Sequence, residues 1–546
     1  MMIRILLFSA LVIFYSYNAS AQQKYIWPVA TKPALSANFG ELRPNHYHMG
    51  LDARTEQREN LIVKSISDGV VSRIKIEPWG FGRAIYIDHK NGLTSLYAHL
   101  NSFYPELESW VKEQQYKLKQ WAVDLVVPPD LFIVKQGQTI AYSGNTGGSM
   151  GPHLHFELRE TVSEKVLNPL VHGFSITDNI APDIIHLAVY DRCESTYEQS
   201  PRFIPLKKVN GIYVATSDVI VPTEKVSFGI TSYDRYSGST NKNGIYQSVL
   251  KVNDKEIIRF VLDSISYLET RLLNAHIDYK TKASGGSYIQ HLSRLPGNVS
   301  DIYKGGDGIV ELKDTEFRNI EILVQDPELN TSVIRFKLRS ADKLKNHPVA
   351  TGLRFEPNMV NVFENSSVKF FLPQNALYDA FNFIYKEVKN ANEKIVYQLH
   401  NTTVPVQTYF KVSIYDPEII YSDKVMMKRY SGSKKDFAKA NFENGWFSSS
   451  FREFGNFQLV EDDEAPVISN IIKTAKRISF TIKDNTEELT NFKALLNGKW
   501  IRFSNDKQRV FVYDLDENCP DGNNELIVSV EDLSGNRAEK VFKFVR

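Results

Sequence analysis

The chain has 546 residues, with 65 Lys and Arg against 64 Asp and Glu and a formal net charge of +1. That length exceeds one hydrophobic core and predicts three or four domains. The balanced charge excludes a global basic field for nucleic acid, and no long Lys/Arg block supplies a local one. With 27 Tyr and 32 Phe, many in short alternating runs, β structure is favoured.

The first residues pair a basic start at Arg4 with an apolar run from Ile5 to about Tyr15 and an Ala19-Ser20-Ala21 ending. This is the pattern of a secretory signal peptide over 1–21 that directs export to the periplasm or cell envelope. The alternative, a membrane anchor, needs about 20 apolar residues, more than this run offers. No Cys stands at the cleavage point for lipidation, and no later segment is apolar enough to span a bilayer. The two cysteines, Cys193 and Cys519, fall in different predicted domains and form no Cys-x-x-Cys metal arrangement.

From Trp27 to about Pro169 short strands are broken by Gly and Asn turns. Asn60 to Ile66 and Gly69 to Ile76 flank Ser67-Asp68. Ala84 to His89 and Leu93 to His99 flank Lys90-Asn91-Gly92, whose Asn-Gly pair suits a type I′ hairpin. An insertion follows at about 103–133. Within it, Pro105 to Trp121 has a Pro start, early acids, late lysines and apolar Leu107, Val111 and Leu118, which predicts a helix. It is read as a surface decoration packed by Trp110 and Trp121, with a wall or lid on a cleft as the alternative.

Three segments carry candidate chemistry: Asn45-His46-Tyr47-His48-Met49-Gly50-Leu51-Asp52, then Leu96-Tyr97-Ala98-His99-Leu100, then Gly151-Pro152-His153-Leu154-His155-Phe156-Glu157. Together the first and last offer two imidazoles and one carboxylate to a zinc ion, leaving a fourth position open as in catalytic sites. Gly50 removes a side chain that would crowd the ion. His153 and His155 are two apart and share a strand face. One binds metal while the other stands beside the reacting bond. His46 is a neighbour, out of register with Gly50 and Asp52, whereas His89 and His172 are ordinary hydrogen-bonding residues.

His-x-Gly-x-Asp, Tyr-Ala-His and Gly-Pro-His-Leu-His-Phe-Glu, in this order, resemble the M23 (lysostaphin-type, LytM-like) metallopeptidases, which cut peptide bonds in bacterial peptidoglycan. The resemblance covers about 145 residues, and the insertion departs from it. It implies an antiparallel β-sheet catalytic domain over 22–175, Zn2+ held by His48, Asp52 and His155, and His99 and His153 as the catalytic pair. Arg43 is a candidate contact for a substrate carboxylate, with a surface salt bridge as the equal alternative. Asn145, in the Gly144-Asn145-Thr146-Gly147-Gly148 loop, is a candidate for the groove rim; the loop lacks the Gly-Lys-Ser/Thr ending of a phosphate loop.

After about 175 the pattern is strands only. Ala181-Pro182 opens a unit that closes on Asp326, Asn330 and the Val333 to Leu338 strand. Ala465-Pro466 opens another that closes on Asp532, Asn536 and the Lys540 to Phe544 strand. These spacings resemble bacterial immunoglobulin-like sandwiches, predicted over 176–343 and 462–546 without catalytic residues. Residues 344–461 are β-rich but of no assignable type, and Asp462-Asp463-Glu464 reads as a linker. The whole is therefore expected to be mainly β.

The leading functional reading is a secreted peptidoglycan endopeptidase, with the D-Ala–diaminopimelate cross-link favoured. One alternative is a non-catalytic or latent regulator of wall hydrolases, although such family members carry substitutions in the metal set and this chain has none. The other is a scaffold whose sandwiches bind wall or envelope partners, with the peptidase ancillary.

Overall fold

The computed structural model describes residues 25–347, 352–391, 393–508 and 510–546; the expected signal peptide lies outside them. The chain is mainly β. Its first unit is built on an antiparallel sheet ordered Leu35–Ala37, Leu51–Arg54, His153–Glu160, Leu93–Ala98, Arg83–Asp88, Gly69–Ile76 and Val123–Val126. A small sheet of Ile62–Lys64, Thr139–Ser143 and Leu100–Phe103 stands beside it. Between them lies a core that includes Val63, Ile74, Ile85, Tyr97, Leu100, Ile140, Leu154 and Phe156. The central strands are buried on both faces, which explains why their sequences run apolar without strict alternation.

The Asn91-Gly92 hairpin forms, but not with a type I′ turn. His89 N–H bonds Leu93 O across a three-residue loop, and within it only Gly92 has positive φ. That is the geometry of a three-residue loop with one left-handed residue. The following strand stops at Ala98 rather than His99, because His99 takes a left-handed φ of 58° that swings the chain onto the small sheet.

The insertion helix spans Pro105–Leu118, three residues shorter than the pattern suggests, and ends on Lys119 at φ 52°. Its buried stripe is Leu107, Val111 and Gln115, while Leu118 is exposed. Gln115 takes the core-facing slot because its amide donates to Trp121 O and its oxygen accepts from Arg502. The insertion also adds the Val123–Val126 strand to the edge of the main sheet.

Three further units follow, each made of two facing sheets. The first has a core that includes Leu187, Phe228, Ile230, Leu250, Phe260, Ile322 and Ile334. Leu35, Phe39, Tyr47, Met49 and Leu51 of the peptidase-like unit belong to this same core. The Val166–Leu167 strand also pairs with Ser264–Ile265. The expectation of a clean break near 175 is therefore corrected: the two units share packing and a sheet edge. The next unit pairs sheets built around Pro405–Ile414 and Gly455–Glu461 over a Phe-rich core. The last packs Val467–Lys473, Arg477–Lys483 and Phe511–Asp514 against the sheet holding Leu489–Leu496 and Asn523–Asp532.

Both Asp-x-x-x-Asn signatures make the same turn. Asp326 accepts from the backbone N–H and side-chain amide of Asn330 at 2.8 and 2.7 Å, and Asp532 does so from Asn536 at 2.8 Å each. Asp462 is a buried joint rather than a loose linker, its carboxylate receiving Asn485 and Ser534. Cys193 is exposed, Cys519 is buried, and both are free thiols.

The last unit folds back onto the first. Lys112 of the insertion helix pairs with Asp516 and Glu517 at 2.8 Å, and Tyr116 packs edge-on against Trp500. The helix does not line the cleft: Trp110 and Trp121 pack it on the first unit's core, as expected, and it is also the platform on which the C-terminal unit docks.

Candidate metal centre and catalytic cleft

Strand register assembles the centre. His155 sits opposite Asp52 on one side and Ala98 on the other, so the carboxylate and the imidazole project from one face of neighbouring strands. His48 arrives from the turn before Leu51–Arg54. Gly50 makes this possible, because a Cβ there would lie 2.4 Å from Phe156 O and 3.0 Å from His155 Cε1.

His48 Nε2, Asp52 Oδ1 and His155 Nδ1 lie 3.0–3.1 Å from one another. Zinc bonds of about 2.0–2.1 Å on a tetrahedron place neighbouring donors about 3.3 Å apart, so the trio fits that ion closely. The remaining ring nitrogens are anchored from behind: His48 Nδ1 meets Asn38 O at 2.7 Å, and His155 Nε2 meets Glu157 Oε1 at 2.9 Å. Such outer partners fix ring orientation in metal sites. Glu157 is fully buried and also bonds Arg159 at 2.6–2.7 Å and the Tyr267 hydroxyl at 2.5 Å.

The electrostatics follow. Burial alone would raise the Asp52 carboxyl, yet His48, His153 and His155 hold it well below the usual carboxylate range. Burial pushes the His155 imidazole down, but the bonds and charges of Asp52 and Glu157 outweigh it and lift it to about 9. Without metal, then, this ring carries a proton that an ion must displace.

His99 and His153 face each other with ring centres 4.8 Å apart. His99 Nδ1 lies 2.8 Å from Thr146 O, and His153 Nδ1 lies 2.8 Å from Gly151 O. With Nδ1–H donating to a carbonyl, His99 Nε2 is left as an acceptor, whereas His153 Nε2 faces Asp52 Oδ1 at 3.4 Å. Burial, reinforced by His155 and His153, drives His99 down to about 3, so it is neutral near pH 7. Its left-handed backbone is the kind of local strain that concentrates at functional positions.

These five residues line one open cleft of about 800 Å³, together with Arg43, His46, Phe81, Ser149 and Tyr267. Arg43 lies 3.1 Å from Glu41 and 3.7 Å from Asp52, the salt-bridge alternative, and it stands at the cleft wall. Asn145 does not line the cleft; its side-chain oxygen faces Lys507 at 3.4 Å. His46 is exposed, and His89 is held by Asp68 O and Ser95.

Residues beyond 175 reach this site, against expectation. Tyr267 of the second unit contacts Glu157. From the last unit, Asp506 accepts from Gly147 N–H at 2.7 Å, while Lys507 donates its backbone N–H to Pro78 O and its ammonium to Ser149 O. Gly147 packs so closely on Gly82 that a Cβ would lie 2.2 Å from its nitrogen. Asp506 and Lys507 thus hold the two loops of the rim together. Nothing local in the sequence marks Tyr267, Asp506 or Lys507. Glu157 stands within the motif, and its adjacency to Arg159 across one strand face is the one signal available.

Residues 46–116 and 132–169 match peptidase family M23, the gap falling in the insertion, and residues 353–462 match the Zu5-like domain. An uncharacterized metalloprotease of Haemophilus influenzae is 32% identical over 131 residues, 24% of this chain and 21% of that protein. The DD-carboxypeptidase/endopeptidase Mpg of Neisseria meningitidis serogroup B is 32% identical over 123 residues, 22% of each. The catalytic domain of the antimicrobial peptidase lysostaphin from Staphylococcus simulans is 24% identical over 24% of this chain and 86% of that chain, with a TM-score of 0.18. The chain spans about a fifth of the length of these curated relatives. It carries an M23 peptidase domain, and its region 344–461, unassigned by patterning, falls on the Zu5-like match.

Proposed function

We propose that this chain is an exported, zinc-dependent endopeptidase of the bacterial cell envelope that hydrolyses peptide bonds in peptidoglycan. The observation that carries this reading is the trio of donors 3.0–3.1 Å apart at the base of an open cleft beside the facing imidazoles of His99 and His153. His48 Nε2, Asp52 Oδ1 and His155 Nδ1 would hold the ion. Zinc supplies Lewis acidity toward a carbonyl oxygen and toward water.

The chain's own residues do the rest. Thr146 O and Gly151 O orient the rings of His99 and His153, leaving His99 Nε2 free to accept a proton. One takes the proton of the attacking water and returns that proton to the leaving amine, while the other stabilises the developing charge. Arg43, at the cleft wall, offers a cation to a substrate carboxylate. Relatives named DD-carboxypeptidase/endopeptidase support the D-Ala–diaminopimelate cross-link as the bond cut.

The test is incubation of the mature protein with purified sacculi, followed by mass spectrometry of the released muropeptides. Cross-link cleavage that stops on zinc chelation and returns with zinc is the expected result. Intact cross-links after prolonged incubation of zinc-loaded protein would sink the proposal.

A further inference from the structure

The joint between the peptidase unit and the unit that follows it gathers four carboxylates. Asp178 lies in the connecting segment, Asp234 follows the Lys225–Tyr233 strand, and Asp326 and Glu328 belong to the Asp-x-x-x-Asn turn. One carboxylate oxygen from each of Asp178, Asp326 and Glu328 lies within 4.8 Å of the others. Asp234 is completely buried, and no side chain donates to either of its oxygens. The charges acting on it are those of Asp326, Asp178 and Glu328, with the Arg235 backbone N–H pulling the other way. Asp178 Oδ2 and Glu328 Oε2 are likewise buried without a donor. Arg235, the nearest cation in sequence, is turned away to Asp183 and Tyr233.

The C-terminal joint is an internal control. It repeats the sequence frame, Asp178-x-x-Ala181-Pro182 becoming Asp462-x-x-Ala465-Pro466 and Asp326-x-x-x-Asn330 becoming Asp532-x-x-x-Asn536. It also repeats the bond from the Asn side chain to the carbonyl of the first Asp. There, however, Ser534 stands where Glu328 stands here. Its hydroxyl donates to Asp462 Oδ2 at 2.8 Å, and Asn485 donates to Oδ1 at 2.9 Å. The C-terminal joint has a neutral side-chain donor on each oxygen of its first Asp. In the other, Ile180 and Ser237 serve Asp178 Oδ1 and Asn330 serves both oxygens of Asp326, but Asp178 Oδ2 and Glu328 Oε2 are left without a donor. Buried charge of one sign is sustained when it is paired or coordinates a metal.

We propose that Asp178, Asp326 and Glu328 bind one hard divalent cation of the calcium class next to the buried Asp234, locking the peptidase unit to the unit behind it. The donor set is all oxygen, with no His or Cys, which selects calcium over zinc. Burial and mutual repulsion raise Asp234 to about 8 and Glu328 to about 7, the strain that a cation would relieve. The site lies in a different unit from the zinc trio and does not depend on the peptidase reading.

The test uses the full chain, zinc-loaded and freed of calcium, titrated with CaCl2 in a calorimeter and by thermal unfolding. The expected result is one saturable calcium per chain, at or tighter than the about 10⁻⁴–10⁻³ M of extracellular modules, with a rise in melting temperature and much weaker magnesium binding. Glu328→Ser, which installs the residue of the C-terminal joint, should weaken calcium binding at least tenfold while leaving zinc content unchanged. Asp234→Asn should do the same, and Glu328→Ser decides the matter if that variant does not fold. Absence of saturable binding up to about 10⁻² M, tenfold beyond the weakest such modules, overturns the proposal. So does calcium binding that survives Glu328→Ser.

Discussion

Glu157→Gln tests whether the metal centre is held in shape by a carboxylate that never touches the ion. The wild-type side chain is fully buried. It sets one oxygen against His155 Nε2 at 2.9 Å and the Tyr267 hydroxyl at 2.5 Å, and the other against Arg159 at 2.6–2.7 Å. Glutamine keeps the volume and one acceptor, but its amide group presents donors where Arg159 or His155 already donates. Arg159 has 5% side-chain exposure and stacks over Phe81, Tyr86 and Tyr267, so its charge has no water to turn to. Removing one partner of a buried ion pair costs about 3–5 kcal/mol. Loss of an outer partner to a metal-bound imidazole costs about 10–100-fold in metal affinity, or about 1.4–2.8 kcal/mol. Zinc affinity is read by competition with a chromophoric chelator, and stability by thermal unfolding of the metal-free protein. Both should fall, with Phe81 and the cleft wall loosened around the freed arginine. A variant with wild-type zinc affinity would refute the idea that Glu157 orients His155.

Three further outcomes are expected. His99→Ala should keep its zinc while losing about 10²–10⁴-fold in turnover, so near-normal muropeptide release would remove His99 from the mechanism. The folded pKa of His155, about 9, stands above its ordinary 6.5. Metal-free protein should therefore be most stable below about pH 6.5 and lose that contribution as pH rises toward 9, while zinc affinity climbs over the same window. A flat melting temperature and pH-independent zinc binding across it would contradict the assignment. A chain ended at Phe174 should fail to fold as a soluble domain. It bares Leu35, Phe39, Tyr47, Met49 and Leu51, whose burial is worth up to about 8–15 kcal/mol, comparable to a domain's whole stability. A soluble, zinc-binding fragment of that length would show the shared core to be dispensable.

The centre was readable from sequence wherever chemistry is local. His48, Gly50 and Asp52 declare themselves through a four-residue spacing, and His153 and His155 through strand alternation; the structure brings all of them together with His99. What was unreadable depends on contacts between residues far apart in the chain. The apolar residues from Leu35 to Leu51 read as strand and turn, yet nothing in their periodicity says that they face a neighbour rather than their own sheet. Asn145 sits in a Gly-rich loop that truly forms the rim, but whether it points to substrate or to Lys507 is decided by a residue 362 positions away. The insertion helix was legible from its Pro start and charge gradient. Its role was not, since Lys112, Gln115 and Tyr116 acquire meaning only from Asp516, Arg502 and Trp500.

The grip of Asp506 and Lys507 on the cleft rim bears on when this protein becomes competent. A chain emerging N-terminus first presents His48, His99 and His155 long before the residues that tie Gly147, Ser149 and Pro78 in place. The tie closes a loop of 359 residues between Gly147 and Asp506, a contact of the kind that forms late because its closure entropy comes first. The rim is tied only once residues 506 and 507 have been made and have docked. A molecule cut before residue 506 would carry His48, Asp52 and His155 with a rim that lacks this tie.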